Sequence, residues 1–193
     1  QAAGDKGLDL QAVVDELSAL QHPSALPDTG TPGELVEHII ARYHEVHRAQ
    51  LPELIRMARR VEAVHRDNPN APHGLADALE TMEQELLTHM HKEEAVLFPM
   101  LRAGGNSFVS QPITMMRHEH NDHGEALEHL AQLTNDITPP MGACNTWRAL
   151  YTGLAQLRED LINHIHLENN ILFPQFEQAA QPQGCGGGGC GCA

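Results

Sequence analysis

The sequence predicts an all-α protein: an up-down-up-down four-helix bundle with a short N-terminal helical appendage. Three observations predict it. Helix formers dominate and aromatics are only 4% of the chain, which leaves strands little to build from. Of four long helical segments, the second and fourth carry apolar residues at three- and four-residue spacings, the pattern of one buried helix face. Short breaks rich in proline and glycine separate them, so successive helices run antiparallel. At 193 residues the chain suits one such domain with small appendages.

An amphipathic stretch from about Leu8 to Leu20 predicts a short helix, broken by "QHPSALPDTG". "TPGE" (Thr31 to Glu34) is a capping box with Pro at the first helical position, so a long helix starts there. It is expected to reach about Asp67, with Pro52 as a point of kinking, and to stop at "NPNAP". A second helix reads from about Pro72 to Arg102, where "AGGNS" ends it. A third spans about Gln111 to Asn135, closed by "TPPMG". The fourth runs from about Cys144 to Ala179, bent or ended near Pro174. The domain reading is therefore residues 1–30 as a small helical segment and linker, 31–180 as the bundle, and 181–193 as a flexible Gly- and Cys-rich tail.

The net charge of −14 argues against a nucleic-acid partner, whose phosphates such a surface repels. No run of 18 apolar residues exists, so no membrane span is expected. No secretory signal is visible, and the absent initiator Met suggests a trimmed start. Three of the four cysteines crowd the last nine residues, which is no disulfide framework. A cytoplasmic protein is the base expectation. The anomaly is fourteen histidines.

Polar residues interrupt the apolar seams. In the second helix Leu75, Leu79, Met82, Leu86, His89, Glu93 and Leu97 are spaced 4, 3, 4, 3, 4, 4. In the fourth, Trp147, Leu150, Leu154, Leu157, Leu161, His164, Glu168 and Leu172 run 3, 4, 3, 4, 3, 4, 4. The histidine and glutamate of each helix thus point inward. An internal repeat links them. His89 to His164 and Glu93 to Glu168 are both 75 residues, while His44 to His120 and His47 to His123 are both 76. Each half brings one helix with His and one with His-x-x-x-Glu, whose i, i+4 members share a face.

Two unpartnered buried carboxylates cost several kcal/mol each, which a bundle of ordinary stability does not tolerate. Cations between them remove that cost. Four imidazoles and two carboxylates suit a dinuclear site with bridging glutamates, and the lack of a thiolate on the seam favours iron over manganese or zinc. Spacing leaves open whether His44 and His120, or His47 and His123, are the ligands from the first and third helices. His91 and His166 also repeat, but a two-residue offset turns them about 200° from the ligand face, toward solvent. His38, His65, His73, His118 and His129 read as solvated-face or helix-end residues. Glu85, one turn before His89, and Glu119, beside His120, line an access path or relay protons or, as the commoner case, are solvated. Cys144 reads as a structural thiol.

The stretches "ARYHEVHRAQLPEL", "THMHKEEAVLFPM", "RHEHNDHGE", "CNTWRALY" and "NHIHLENNILFP" resemble the iron–sulfur cluster repair family (RIC, YtfE-like), whose bundle is hemerythrin-like. The resemblance covers about Gly33 to Phe176. It implies two non-haem iron ions, oxo- or hydroxo-bridged and carboxylate-bridged, with ligands falling on His44, His89, Glu93, His120, His164 and Glu168. Oxygen-carrying hemerythrins would need a His where this chain has Gly124 and an Asp where it has Asn169. The family also carries a small N-terminal domain with a Cys-Cys-Gly-Gly motif. "AAGDKGLDLQAVVDELSAL" resembles its latter part, which makes residues 1–30 a remnant of that domain and puts any role of the paired cysteines in doubt here. A thiol role for Cys185, Cys190 and Cys192 is the lesser reading of the tail.

The implied function is repair of iron–sulfur clusters damaged by nitrosative or oxidative stress, by iron donation, NO handling, or both. Its partners would be damaged iron–sulfur proteins and NO or O2, acting on a monomer or weak dimer. The alternatives are a di-iron NO reductase or peroxidase, and a sensor or store that binds O2 or NO. All three use one site and differ in kinetics. Metal should be lost as pH falls below about 6, because the ligands must be deprotonated.

Overall fold

The computed structural model describes residues 30–177. The expected helix from Leu8 to Leu20 and the Cys-containing tail lie outside the described residues. Four long helices make up the rest, and no strand occurs among the described residues. Helix α1 runs through Pro32–Ile39, a π-helical turn Ile40–His44, and Glu45–Val64. Helix α2 comprises Leu75–Lys92, a π turn Glu93–Leu97, and Phe98–Arg102. Helix α3 is Ser110–Leu133. Helix α4 comprises Asn145–Leu167, a π turn Glu168–Leu172, and a last turn Pro174–Glu177.

Three helix starts follow expectation closely: Pro32 opens α1, Ser110 opens α3 and Cys144 takes the cap position of α4. Helix α2 begins at Leu75, three residues past the expected Pro72, after Gly74 turns the chain with φ +87°. The ends fall two or three residues short of expectation at α1 and α3, because His65 and Thr134 already leave helical geometry. Pro52 does not interrupt the helix, which is assigned continuously from Glu45 to Val64. Pro174 follows the single non-helical residue Phe173 and starts a further turn, rather than ending α4.

Packing places α1 against α2 and α4, and α2 against α3. Gly153 makes the α1–α4 contact close: a Cβ there would lie 2.6 Å from Leu54 Cδ2. Gln50 on α1 donates to the Gly153 carbonyl at 3.1 Å. Along every helix the buried apolar residues divide into two clusters. One, centred on Leu51, Leu86, Trp147 and Leu161, fills the end of the bundle where α1 stops. The other, with Ile39, Phe98, Ile113 and Phe173, fills the end where α1 begins. Between them lies a layer of buried polar residues: His44, His47, His89, Glu93, His120, His123, His164 and Glu168.

The π turns position that layer. Two spacings of four along His89, Glu93 and Leu97 would swing an α-helical seam about 80° off the core. A π turn absorbs the extra residue, and the Phe98 amide bonds the Glu93 carbonyl five residues back. Helix α4 repeats the device, with Phe173 bonding Glu168. The seam stays inward on both sides of each glutamate.

Candidate metal centre

The six residues named from the repeat converge into two groups that share both glutamates. His44 and His164 face each other with Nε2 atoms 3.1 Å apart, and so do His89 and His120. Glu93 sends Oε2 toward His44 Nε2 at 3.4 Å and Oε1 toward His89 Nε2 at 3.4 Å. Glu168 sends Oε1 toward His164 Nε2 at 3.3 Å and Oε2 toward His120 Nε2 at 3.0 Å. Each carboxylate therefore spans the two groups, one oxygen to each. In each group the four ligand atoms lie within 4.8 Å of one another. The glutamates and their histidines are buried.

Hydrogen bonds on the far side of the rings fix what faces inward. His44 Nδ1–H donates to Glu94 at 2.7 Å, His89 Nδ1–H to Glu119 at 2.8 Å, and His120 Nδ1–H to the Asn169 amide oxygen at 3.0 Å. A neutral ring with its proton on Nδ1 turns a bare lone pair inward from Nε2. With both rings in that tautomer, the 3.1 Å approach of His89 and His120 sets two lone pairs against each other, a contact relieved by a shared cation or by a proton on one Nε2. The carboxylate oxygens of Glu93 and Glu168 have no partner with hydrogen-bond geometry. A cation roughly 2.1 Å from each ligand would separate neighbouring ligands by about 3.0 Å (octahedral) to 3.4 Å (tetrahedral). Those are the separations found. The residues fit a pair of metal ions.

Charge in the bare protein tells the same story. Burial disfavours the imidazolium of His89, but the carboxylates of Glu93, Glu168 and Glu119 override it and push its pKa up to about 9. His44 is raised on the same balance of burial against Glu93, Glu94 and Glu168. Glu168 is held well below the usual carboxylate range, because His164 and His120 outweigh its burial. The pocket demands positive charge; protons supply it when metal does not. The outer carboxylates are themselves held ionised despite partial burial, Glu94 chiefly by Arg48 and His44, and Glu119 chiefly by Lys92 and His89.

His47 and His123 belong to neither group. Both are buried and neither ring nitrogen of either has a partner. Each packs on one ring of a neighbouring group: His47 on His164 with centroids 5.6 Å apart, His123 on His89 at 4.9 Å. Burial first, then the neighbouring histidines, push both down to about 3, so they are neutral. An unpartnered buried polar group costs roughly 1–3 kcal/mol. On the other side of the layer the wall is aromatic: Phe98 stacks on His44 at 5.6 Å and Phe173 on His120 at 6.1 Å.

A cleft of about 380 Å³ leads from the surface to this layer, lined by Gln84, Glu85, Thr88, Lys92, Glu119, Asp122 and His123. Glu85 and Glu119 thus line an approach. Glu119 is also the partner of His89, a role its sequence position beside His120 did not suggest. His91 and His166 are exposed, as their offset implies. His73, His118 and His129 are exposed and His38 is half-buried, whereas His65 caps α1 and lies 3.3 Å from the half-buried Cys144 thiol. Sequence reasoning missed Glu94, Asn169 and Tyr43 as outer contacts. The repeat carried the signal: Glu94 to Asn169 is 75 residues and Tyr43 to Glu119 is 76. Tyr43 stacks on His164 at 5.4 Å, where Glu119 serves His89 in the other half.

Residues 35–176 match the hemerythrin HHE cation-binding domain. The chain is 49% identical over 178 residues to the iron–sulfur cluster repair protein YtfE of Dickeya chrysanthemi, covering 91% of this chain and 80% of that one. It is 50% identical over 178 residues to YtfE of Yersinia pseudotuberculosis serotype O:1b, and 49% over 177 to YtfE of Cronobacter sakazakii, with the same coverage. The chain belongs to the YtfE family of hemerythrin HHE proteins. Its domain binds iron, and the two buried His/Glu groups can hold a di-iron site. No helix among the described residues is long and apolar enough to cross a membrane.

Proposed function

We propose that this protein repairs iron–sulfur clusters damaged by nitrosative or oxidative stress, through a non-haem di-iron centre held by His44, His89, Glu93, His120, His164 and Glu168. The observation that carries the reading is the pair of His2Glu2 groups sharing both carboxylates, in a chain so similar to proteins named for cluster repair. Two irons there would supply redox chemistry, open coordination positions and a store of transferable metal. The protein's own share is to hold the ions, to keep water scarce with Phe98 and Phe173, and to offer an acid-lined approach. Glu85, Glu119 and Asp122 make that cleft a surface that accepts cations, which favours iron donation. Glu119 faces both ways, with one oxygen on His89 Nδ1 and the other against Lys92.

The remaining assignments are part of the same proposal: a cytoplasmic protein, monomeric or weakly dimeric, with residues 31–180 as the iron-binding bundle flanked by residues 1–30 and 181–193. Its partners are damaged iron–sulfur proteins, with NO or O2 as small ligands and no nucleic acid or membrane. The test is transfer. Protein loaded with 57Fe is mixed with an iron–sulfur enzyme whose cluster has been oxidised, and Mössbauer spectra of the separated enzyme are recorded. Label in a rebuilt cluster is the expected result. Steady conversion of NO to N2O without transfer would mark an NO reductase instead, and reversible NO or O2 binding without iron loss would mark a sensor or store.

A further inference from the structure

The layer between the apolar clusters holds two imidazoles that the metal groups do not use. His47 and His123 are related by the 76-residue repeat, and each lies one helical turn beyond a ligand, His44 or His120. All four of their nitrogens are buried and without a partner. Each rests on the ring of the ligand that the neighbouring antiparallel helix supplies, one in each metal group. His123 is the one buried residue among those lining the cleft, so it forms the cleft's floor. The opposite wall of the centre is phenylalanine.

We propose that His47 and His123 form the polar wall of a binding site for a small exogenous molecule at the metal pair, a diatomic or triatomic ligand that accepts hydrogen bonds. Every other polar side chain of the layer is spent on holding metal, which leaves these two to hold what comes to it. A neutral imidazole offers one N–H and one lone pair. With one such ring beside each metal group, each can give one hydrogen bond to a molecule bound there. The aromatic wall offers nothing comparable, so a ligand that accepts hydrogen bonds is held on the His47 and His123 side, where the cleft arrives. This inference rests on the di-iron reading above.

Azide, a stable triatomic ligand of ferric iron, is the probe. The full chain loaded with two ferric ions is titrated with azide in wild type, in His47→Leu and His123→Leu, in the double variant, and in His47→Asn with His123→Asn. Loss of one hydrogen bond should weaken azide about tenfold per leucine, with recovery in the asparagine pair, which keeps a donor. The infrared stretch of bound azide should shift between H2O and D2O in wild type and not in the double leucine variant. Unchanged affinity and an unchanged isotope response in a double variant that keeps two irons would overturn the proposal. Should the leucine variants lose iron, the wild-type stretch decides: a D2O shift supports the wall, and its absence overturns it. Fewer than two irons in the wild type would fault the di-iron reading itself.

Discussion

The two buried His/Glu groups match in composition and differ in surroundings. Each has two histidines and a share of both glutamates. In the His44/His164 group, Glu94 backs His44 and is itself held by Arg48, while His164 has Tyr43 stacked on its face and no partner on Nδ1. In the His89/His120 group, Glu119 backs His89 and Asn169 backs His120. Position for position the repeat pairs Glu94 with Asn169 and Tyr43 with Glu119, so each group keeps one carboxylate but draws it from a different helix. The repeat keeps the inward-facing imidazole and carboxylate atoms the same in both groups. It lets the atoms one bond further out diverge, and those set how basic each imidazole is and how firmly it is aimed. The two ions should therefore be inequivalent, and the cleft reaches only the surroundings of the second group.

The largest break comes from removing what the groups share. Glu93→Leu or Glu168→Leu takes an oxygen from both at once, and iron content should fall below two per chain; full occupancy in either variant would contradict bridging. The next sharpens the difference between the groups. Glu94→Ala should weaken metal held with His44, and Glu119→Ala metal held with His89, each by about 10- to 100-fold. Chelator competition should then strip one ion well before the other, and equal stripping of both would remove the claim of separate surroundings.

A smaller effect concerns acid. His47 and His123 sit at about 3 in the fold, below the ordinary 6.5. Between those values the unfolded chain takes up protons that the folded one refuses, so these residues erode stability as pH falls from 6.5 toward 3. His44 and His89 pull the other way, being raised, but are the same in wild type and variant. Replacing His47 and His123 by leucine should move the acid midpoint of helix loss in metal-free protein to lower pH. A midpoint that stays or rises would mean these histidines are not held neutral. The smallest expected effect is none: His91→Ala, on the exposed side of α2, should leave the iron spectrum unchanged.

The bundle and the six converging residues were legible because both rest on periodicity. Apolar spacing gave the inward faces, and offsets of 75 and 76 residues gave the pairing of halves. The π turns of α2 and α4 were also written in the sequence, as two successive spacings of four through His89 and Glu93 and through His164 and Glu168, whereas that of α1 at Ile40–His44 was not. Glu94 and Asn169 were not legible in this way. Each follows a seam glutamate by one residue, which turns it about 100° away, and only cross-helix packing brings it onto His44 or His120. The choice between His44 and His47 was equally beyond spacing, since both are buried and face the core. Three residues along one helix separate a ring that meets a carboxylate from one that meets none.

Mössbauer spectroscopy of the 57Fe-loaded ferric protein, with iron counted per chain, reaches the central claim most directly. Two irons per chain are expected, as two high-spin sites of equal area with slightly different parameters, coupled to a diamagnetic ground state through shared bridges. One iron per chain, or two magnetically isolated ions, would contradict a centre built on Glu93 and Glu168 as common ligands.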